Sequence, residues 1–417
     1  MFKLAHCSDP HAGYRSGVHV NKQGINLREA DGYMAFQEMV TDIIKNEVDA
    51  AVFCGDIFHT PNPKTTEVVF VQNQLRRLAA VGIAVYLLAG NHDTNDIKSD
   101  IAASRVLNDP LRKIYSHAEP YAKHEIGDGI HLHLVSHHMY QEQADTMKLI
   151  KPTPSEVNIF STHGSVIDPL LKEKLKTEQS PREIVIPDFL LNDRDWSYTL
   201  LGHIHERGWV GSKDGRTDSL KKRIYYNGSL IRRGFSDKEV KLGRGWTLWE
   251  IDSSGEFKPT PKKVAQRPQY DFAAIDAAKL TPNEISEKII ERLRETQVDG
   301  TNFISATAPI LRQKVINLTP SKHSALDWTN FNRQSAHAMQ FEVKPLVIAG
   351  YEEPTSGKLI VPGDDLQGNG DVVKLYSDWI QDNKLLEETS KDLRATIIKQ
   401  TTDFITKAQE KILDNEK

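Results

Sequence analysis

Residues 50–56 read AAVFCGD: five apolar residues in an unbroken row, then Gly55 and Asp56. A run this short, with no polar alternation, suits a strand buried on both faces, as in a sheet covered by helices. The same design recurs in FKLAHCSD (2–9), AVYLLAGNHD (84–93), NIFSTHG (158–164) and YTLLGHIH (198–205). Each apolar run ends in a cluster of Gly, Asp, Asn, Ser or His. Amphipathic helical patterns near 30–46 and 65–81 separate the first three. Strand–helix–strand alternation predicts an α/β fold with parallel strands. In such sheets ligands bind beyond the carboxyl ends of the strands, where all five polar clusters fall. The site is therefore expected to be assembled from separated loops.

Further along, RIYYNGSLIR and WTLWEID (within 222–252) read as alternating strands closing the same domain in antiparallel fashion, and PTPKKVAQRP (259–268) reads as its boundary. Thr281-Pro282-Asn283-Glu284 is a capping box with Pro at the first helical position. It opens a helix with Ile285, Ile289, Ile290 and Leu293 on one face. Strand-like stretches at 303–317 and 339–348 complete a small α+β domain. A turn-rich segment (350–370, five Gly and two Pro) leads to a tail in which Leu393, Ile397, Phe404, Ala408 and Ile412 keep near-helical spacing. The domain expectation is 1–265, 268–350, a linker at 351–370 and a helical tail at 371–417.

The 417 residues are 39% hydrophobic and 26% charged, ordinary for a globular protein, and a net charge of −4 gives no global argument for nucleic acid. Cys7 and Cys54 both lie in buried-strand patterns, which argues against a disulfide framework and for a reducing compartment. No run of 18 apolar residues is present, and the first strand starts at Phe2, so the expectation is a cytoplasmic chain with no membrane span.

The strand ends collect Asp9 and His11, Asp56 and His59, Asn91, His92 and Asp93, His163, and His203 and His205. This oxygen and nitrogen set without thiolates suits Mn²⁺, Fe²⁺ or Zn²⁺. A carboxylate such as Asp56 can bridge two ions, which in two-metal sites lie about 3.5–4 Å apart and clamp the attacking and leaving oxygens at phosphorus. Asp-x-His or Gly-Asp alone is a common cap or turn. Gly-His-x-His says more, because alternate residues of an extended segment face one way. In this order, all at strand ends, the set points to phosphoester hydrolysis.

The series SDPHAG, GDIFH, GNHD, STHG and GHIH resembles the calcineurin-like metallophosphoesterases, and among them the SbcD-type DNA repair exonucleases. Two features select that branch: His59 in GDIFHTPNP, where the superfamily's protein phosphatases carry an Asp-Arg pair, and GNHD in place of their GNHE. The segment 226–252 resembles the Gly-Ser strand and closing hairpin of the same enzymes. The resemblance covers roughly residues 1–255. Pro10 departs mildly from it, since an apolar residue is usual there.

The resemblance implies a metallophosphoesterase β-sandwich flanked by helices, with a small α+β capping domain and a C-terminal helical tail. It implies two divalent ions, with manganese favoured. One ion would be held by Asp9, His11, Asp56 and His205, and the other by Asp56, Asn91, His163 and His203. His92 would face the phosphodiester and stabilise its charge or protonate the leaving oxygen, a task that suits histidine. His59 would help place the phosphate, and Asp93 would orient its neighbours. The implied activity is that of a DNA exonuclease and endonuclease. The implied partners are DNA and an SMC-like ATPase of the SbcC type, with a homodimer allowed and the tail as a docking element. The alternatives are a phosphatase or cyclic-nucleotide phosphodiesterase with the same ions, and a binding scaffold that has lost catalysis.

Other motifs carry less. IHLHLVSHH (130–138) holds four histidines, but the alternation expects a strand with one solvated face rather than a metal site. Trp246 and Trp249 are expected in the core. Residues 206–245 carry eleven Lys or Arg against five Asp or Glu, which suits a solvated surface or a track for phosphates.

Overall fold

Two six-stranded sheets stack with apolar side chains between them and helices on both outer faces. The computed structural model describes residues 1–94, 102–117, 121–137, 140, 144–166, 185–192, 194–210, 223–235, 243–252, 254–296 and 308–346. In chain order the elements are β1 (Phe2–Cys7), α1 (Leu27–Lys45), β2 (Ala50–Cys54), α2 (Thr65–Ala80), β3 (Ala84–Leu88), β4 (Ile114–Ser116), β5 (Tyr121–Gly127), β6 (Ile130–Val135), α3 (Ala144–Leu149), β7 (Val157–His163), α4 (Asp188–Asn192), β8 (Tyr198–Gly202), β9 (Gly208–Trp209), β10 (Ile224–Tyr226), β11 (Gly245–Ile251) and β12 (Phe257–Lys263). A second set follows: β13 (Gln269–Asp276), α5 (Pro282–Glu295), β14 (Ile310–Ile316), α6 (Pro320–Ser324), α7 (Trp328–Gln334) and β15 (Gln340–Leu346).

The first sheet runs β12-β11-β1-β2-β3-β4 and the second β5-β6-β7-β8-β10-β9. The pairs β1–β2 and β2–β3 are parallel, as are β6–β7 and β7–β8. The chain is thus an α/β sandwich, as the apolar runs and helical patterns predict. Leu4, Val52, Cys54 and Leu88 from one sheet meet Leu132, Ile159 and Leu200 from the other in a shared core. Phe36, Met39 and Ile43 of α1 and Val71, Leu75 and Leu78 of α2 cover the outside of the first sheet. Burying such aliphatic and aromatic side chains stabilises by about 1.5–3 kcal/mol each. Both cysteines are buried free thiols. No helix among the described residues is long and apolar enough to cross a membrane.

Three sequence expectations need correction. The segments 223–232 and 246–252 do not pair with each other. Strand β10 joins the second sheet beside β8, while β11 lies antiparallel to β1 in the first. The closing hairpin is β11–β12, and β12 takes in the first half of the Pro-rich stretch (259–263), leaving 264–268 between it and β13. Pro259 and Pro261 are tolerated because β12 is the sheet's edge strand, where alternate N–H groups need no partner. Finally, β6 has no solvated face. His133 is fully buried beside Trp196 (ring centroids 4.8 Å apart), because α3, α4 and Trp196 pack over that side of the second sheet. Trp246 and Trp249 are both buried in the cores.

Beyond β12, the parallel sheet β13-β14-β15 packs under α5 and α7. The capping box at Thr281 and Glu284 is formed, and Ile285, Ile289, Ile290 and Leu293 face the sheet. Residues 1–349 form one compact unit. Within it, buried Arg267 holds Asp31 of α1 through two 2.7 Å bonds and donates to the Ala308 carbonyl. The linker at 351–370 and the tail at 371–417 lie outside the described residues, as does much of the basic stretch between 211 and 242.

Candidate metal centre

Strands β1, β2 and β3 are neighbours in one sheet, and β7 and β8 are neighbours in the other. Their carboxyl ends open on the same rim of the sandwich, where His163 at the end of β7 meets the Cys54 carbonyl at the end of β2 and Asn91 beyond β3. Asp9, His11, Asp56 and His203 leave that rim with positive φ (49°, 45°, 51° and 96°), a left-handed conformation that non-glycine residues seldom adopt. Such strain costs about 1–3 kcal/mol per residue and gathers at functional sites. Two glycines make room for the chain to pass. A Cβ on Gly90 would stand 2.2 Å from Asp56 Oδ1, and one on Gly202 would stand 1.9 Å from the Cys54 carbonyl oxygen.

The structure brings the nine candidate side chains together. Asn91 Oδ1 lies 2.9 Å from His163 Nε2 and 3.2 Å from His203 Nδ1. Asp56 stands 3.4 Å from His163 Nε2 through one oxygen and 3.5 Å from His11 Nε2 through the other, so its carboxylate lies between the two halves of the cluster. His205 Nε2 is 3.2 Å from His11 Nε2 and 4.0 Å from Asp9 Oδ1. His59 Nδ1 is 3.5 Å from His11 Nδ1, and the rings of His11 and His92 meet edge to face at 4.8 Å. Among the described residues, Asp9, Asp56 and His163 also form one of three groups whose donor atoms lie within 4.8 Å of one another.

Backbone hydrogen bonds set these side chains. The Nδ1–H of His163 donates to the Cys54 carbonyl at 2.9 Å. That turns Nε2 toward the oxygens of Asn91 and Asp56, an acceptor-rich arrangement that calls for a proton or a metal cation between them. A ligating histidine characteristically commits its other nitrogen this way. Asp93 does not point into the cluster; its carboxylate accepts from the N–H groups of Ile57, Phe58 and Gly90 (3.1, 2.8 and 2.9 Å), tying the two loops together. The His203 N–H donates to Asp9.

The charges agree with a cation site. Burial, then the nearby Arg233 charge, holds His11 and His205 well below the usual histidine range, so both keep neutral, electron-donating rings. Burial lowers His203 to about 3. Burial alone would raise Asp56, but the charge of His163 outweighs it and keeps the carboxylate ionised. Burial works against charging His163 too, yet Asp56 and Asp9 push it up to about 9. A buried cluster that sets an ionised Asp56 beside the neutral rings of His11, His203 and His205, and holds a positive charge at His163, fits divalent ions held by oxygen and nitrogen.

Residues 2–207 match the family model of the calcineurin-like phosphoesterases. The chain carries a calcineurin-like phosphoesterase domain. The DNA double-strand break repair protein Mre11 of Sulfurisphaera tokodaii is 27% identical to this chain over 297 residues, 70% of this chain and 69% of that protein. The protein of the same name from Saccharolobus solfataricus is 28% identical over 264 residues, and this chain spans 62% of its length. Among solved structures, a purple acid phosphatase from yellow lupin seeds matches with a TM-score of 0.37 at 10% identity, over 60% of this chain and 49% of that one. The matched domain makes the chain a phosphoester hydrolase, and metallophosphoesterases use a dimetal centre.

One residue at the phosphoesterase centre escapes sequence reasoning. Arg233 directs Nη1 to His11 Nε2 at 3.0 Å and to His205 Nε2 at 3.4 Å. Its only sequence signal is membership of the basic stretch after His205.

Proposed function

We propose that this chain is a metal-dependent DNA nuclease, with exonuclease and endonuclease activity, that hydrolyses phosphodiesters by a two-metal mechanism. The observation that carries the reading is the Asp56 carboxylate lying between two sets of donors, with His92 beside it. The relatives named for DNA double-strand break repair support DNA as the substrate.

In this reading Asp9, His11, Asp56 and His205 hold one ion, Asp56, Asn91, His163 and His203 hold the other, and manganese is the favoured metal. Bound divalent ions supply Lewis acidity toward the phosphoryl oxygens and a hydroxide nucleophile at neutral pH. His92 donates its Nδ1–H to the His59 carbonyl at 2.9 Å, so Nε2 is the atom that moves a proton to the leaving oxygen. His59 stacks on His92 with ring centroids 5.3 Å apart and orients the phosphate. The domain at 268–350 caps the DNA path, and the tail at 371–417 docks an SMC-like ATPase of the SbcC type in a cytoplasmic repair complex.

The test is purified protein with Mn²⁺ on linear duplex DNA, single strands and a small chromogenic phosphodiester. Cleavage of DNA is expected. Turnover of the small ester with DNA left intact, even with the ATPase present, would overturn the nuclease reading in favour of a phosphatase or cyclic-nucleotide phosphodiesterase.

A further inference from the structure

We infer that Arg233 is a substrate-contacting residue, whose guanidinium binds the non-bridging oxygens of the phosphoryl group being cleaved. The inference rests on the phosphodiesterase reading of the site and adds to it a residue outside the strand-end motifs.

Its surroundings are unlike those of a structural arginine. A buried guanidinium that serves the fold is paired with carboxylates or carbonyls. Neighbouring examples do this: Arg28 holds Asp31 and the Arg232 carbonyl, and Arg267 holds Asp31 and the Ala308 carbonyl. Arg233 forms no ion pair with any described carboxylate. Among the described residues it meets imidazole nitrogens, at His11 and His205, and the face of Tyr14, whose ring centroid lies 4.8 Å from the guanidinium carbon. Imidazole nitrogens that bind metal are poor long-term partners for a cation. With those lone pairs engaged, the planar fork of donors is left facing whatever anion lies over the centre. Bidentate recognition of phosphate is what that geometry suits.

The fold holds Arg233 there. Its neighbour Arg232 is fixed on both sides, accepting from Arg28 and donating its N–H to Gln266 Oε1 at 2.9 Å. Two residues on, Phe235 packs with Leu27, Ala308, Ile310 and Met339, and Arg312 of β14 lies over its ring at 4.2 Å. On the site side, Tyr14 carries the guanidinium on its face and meets the His59 ring edge to face at 5.1 Å. Arg233, Tyr14 and His59 therefore form one wall beside His11. A cationic donor preorganised on this half-buried wall beside His11 is placed to meet a developing phosphoryl charge.

The test uses the full chain loaded with Mn²⁺ and the variants R233Q, R233K and R233A. Inorganic phosphate binding is measured by calorimetry, metal content by elemental analysis, and turnover with a chromogenic phosphodiester and with linear DNA. R233Q should keep its full manganese content, bind phosphate at least tenfold more weakly and lose kcat/KM by about a hundredfold, the size of loss typical of a deleted transition-state donor. R233K should recover part of both, and added guanidinium should partly rescue R233A, which a merely structural role would not allow. Wild-type phosphate affinity and kcat/KM in metal-replete R233Q would overturn the assignment. So would loss of manganese from both R233Q and R233K, which would make Arg233 a structural plug of the ligand cluster. If wild-type protein binds phosphate but cleaves neither ester, the phosphodiesterase reading fails, and the phosphate titration still decides the role of Arg233.

Discussion

The backbone N–H of His92 donates to Oδ1 of Asp56 at 2.8 Å. The carboxylate at the middle of the cluster thus also fixes the peptide that carries the proposed proton donor. Asp93 reinforces the link from below by holding Gly90 and the Ile57–Phe58 peptide on one carboxylate. His92 itself adds only a side chain to this frame, so the frame should survive its removal.

His92→Ala should therefore abolish most phosphodiester cleavage, by about 10²–10⁴ in kcat, the range for losing a general acid or base. Manganese content should stay near the wild-type level. Elemental analysis beside a cleavage assay checks both, and loss of both ions in the variant would show that His92 is a ligand.

Asp56→Asn tests the bridge. The amide keeps the shape and can still accept from the His92 N–H, but it removes the charge between His11 and His163. The variant should hold fewer ions than wild type. Manganese should also raise the unfolding temperature of wild-type protein, since binding at a hundred times Kd stabilises by about 2.7 kcal/mol. The variant should show little of that rise. An equal manganese-induced shift in both proteins would exclude Asp56 as a bridging ligand.

The convergence of the candidate side chains could be read from sequence because each cluster of them follows an apolar run. Val52–Cys54 bury themselves, Gly55 turns, and Asp56 is delivered to the rim; the signal is local. Arg233 has no such signal, because its contact with His11 spans 222 residues. The pairing of β11 with β1 and β12, rather than with β10, was equally hidden: both segments look alike in pattern, and only the two-sheet topology separates them. The alternation in β6 correctly marked a strand but not its burial, which depends on Trp196 and on helices later in the chain.

Gly202→Ala should be among the most damaging small substitutions. Its new methyl group would meet the Cys54 carbonyl oxygen at 1.9 Å and His163 Nδ1 at 2.9 Å, backbone and proposed ligand at once. The β2 and β8 ends would have to separate, and the His163–Cys54 bond would be lost with them. Destabilisation of about 4 kcal/mol or more is expected, the exceptional range for single changes. Denaturant unfolding checks it. Wild-type stability in soluble G202A would show that the two sheets are not in contact at this rim.

His133 makes stability depend on pH. Its ring accepts from the Tyr121 hydroxyl at Nδ1 and donates from Nε2 to Asn158 Oδ1, both at 2.9 Å, so the neutral form is fully satisfied. Burial lowers its pKa from 6.5 to about 4. Above pH 6.5 neither folded nor unfolded chains protonate this ring, and it contributes no slope. As pH falls from 6.5 toward 4, the unfolded chain binds a proton that the folded chain refuses, so stability drops through that window. His133→Leu leaves the Tyr121 hydroxyl without its acceptor and takes one of two donors from Asn158 Oδ1, which keeps the Thr153 N–H, and it should be less stable than wild type at pH 7.5. It should also lose this part of the acid sensitivity. The gap between wild type and H133L in denaturant midpoint should therefore narrow between pH 7 and pH 4.5. A gap that stays constant or widens on acidification would mean that the folded protein accepts a proton at His133.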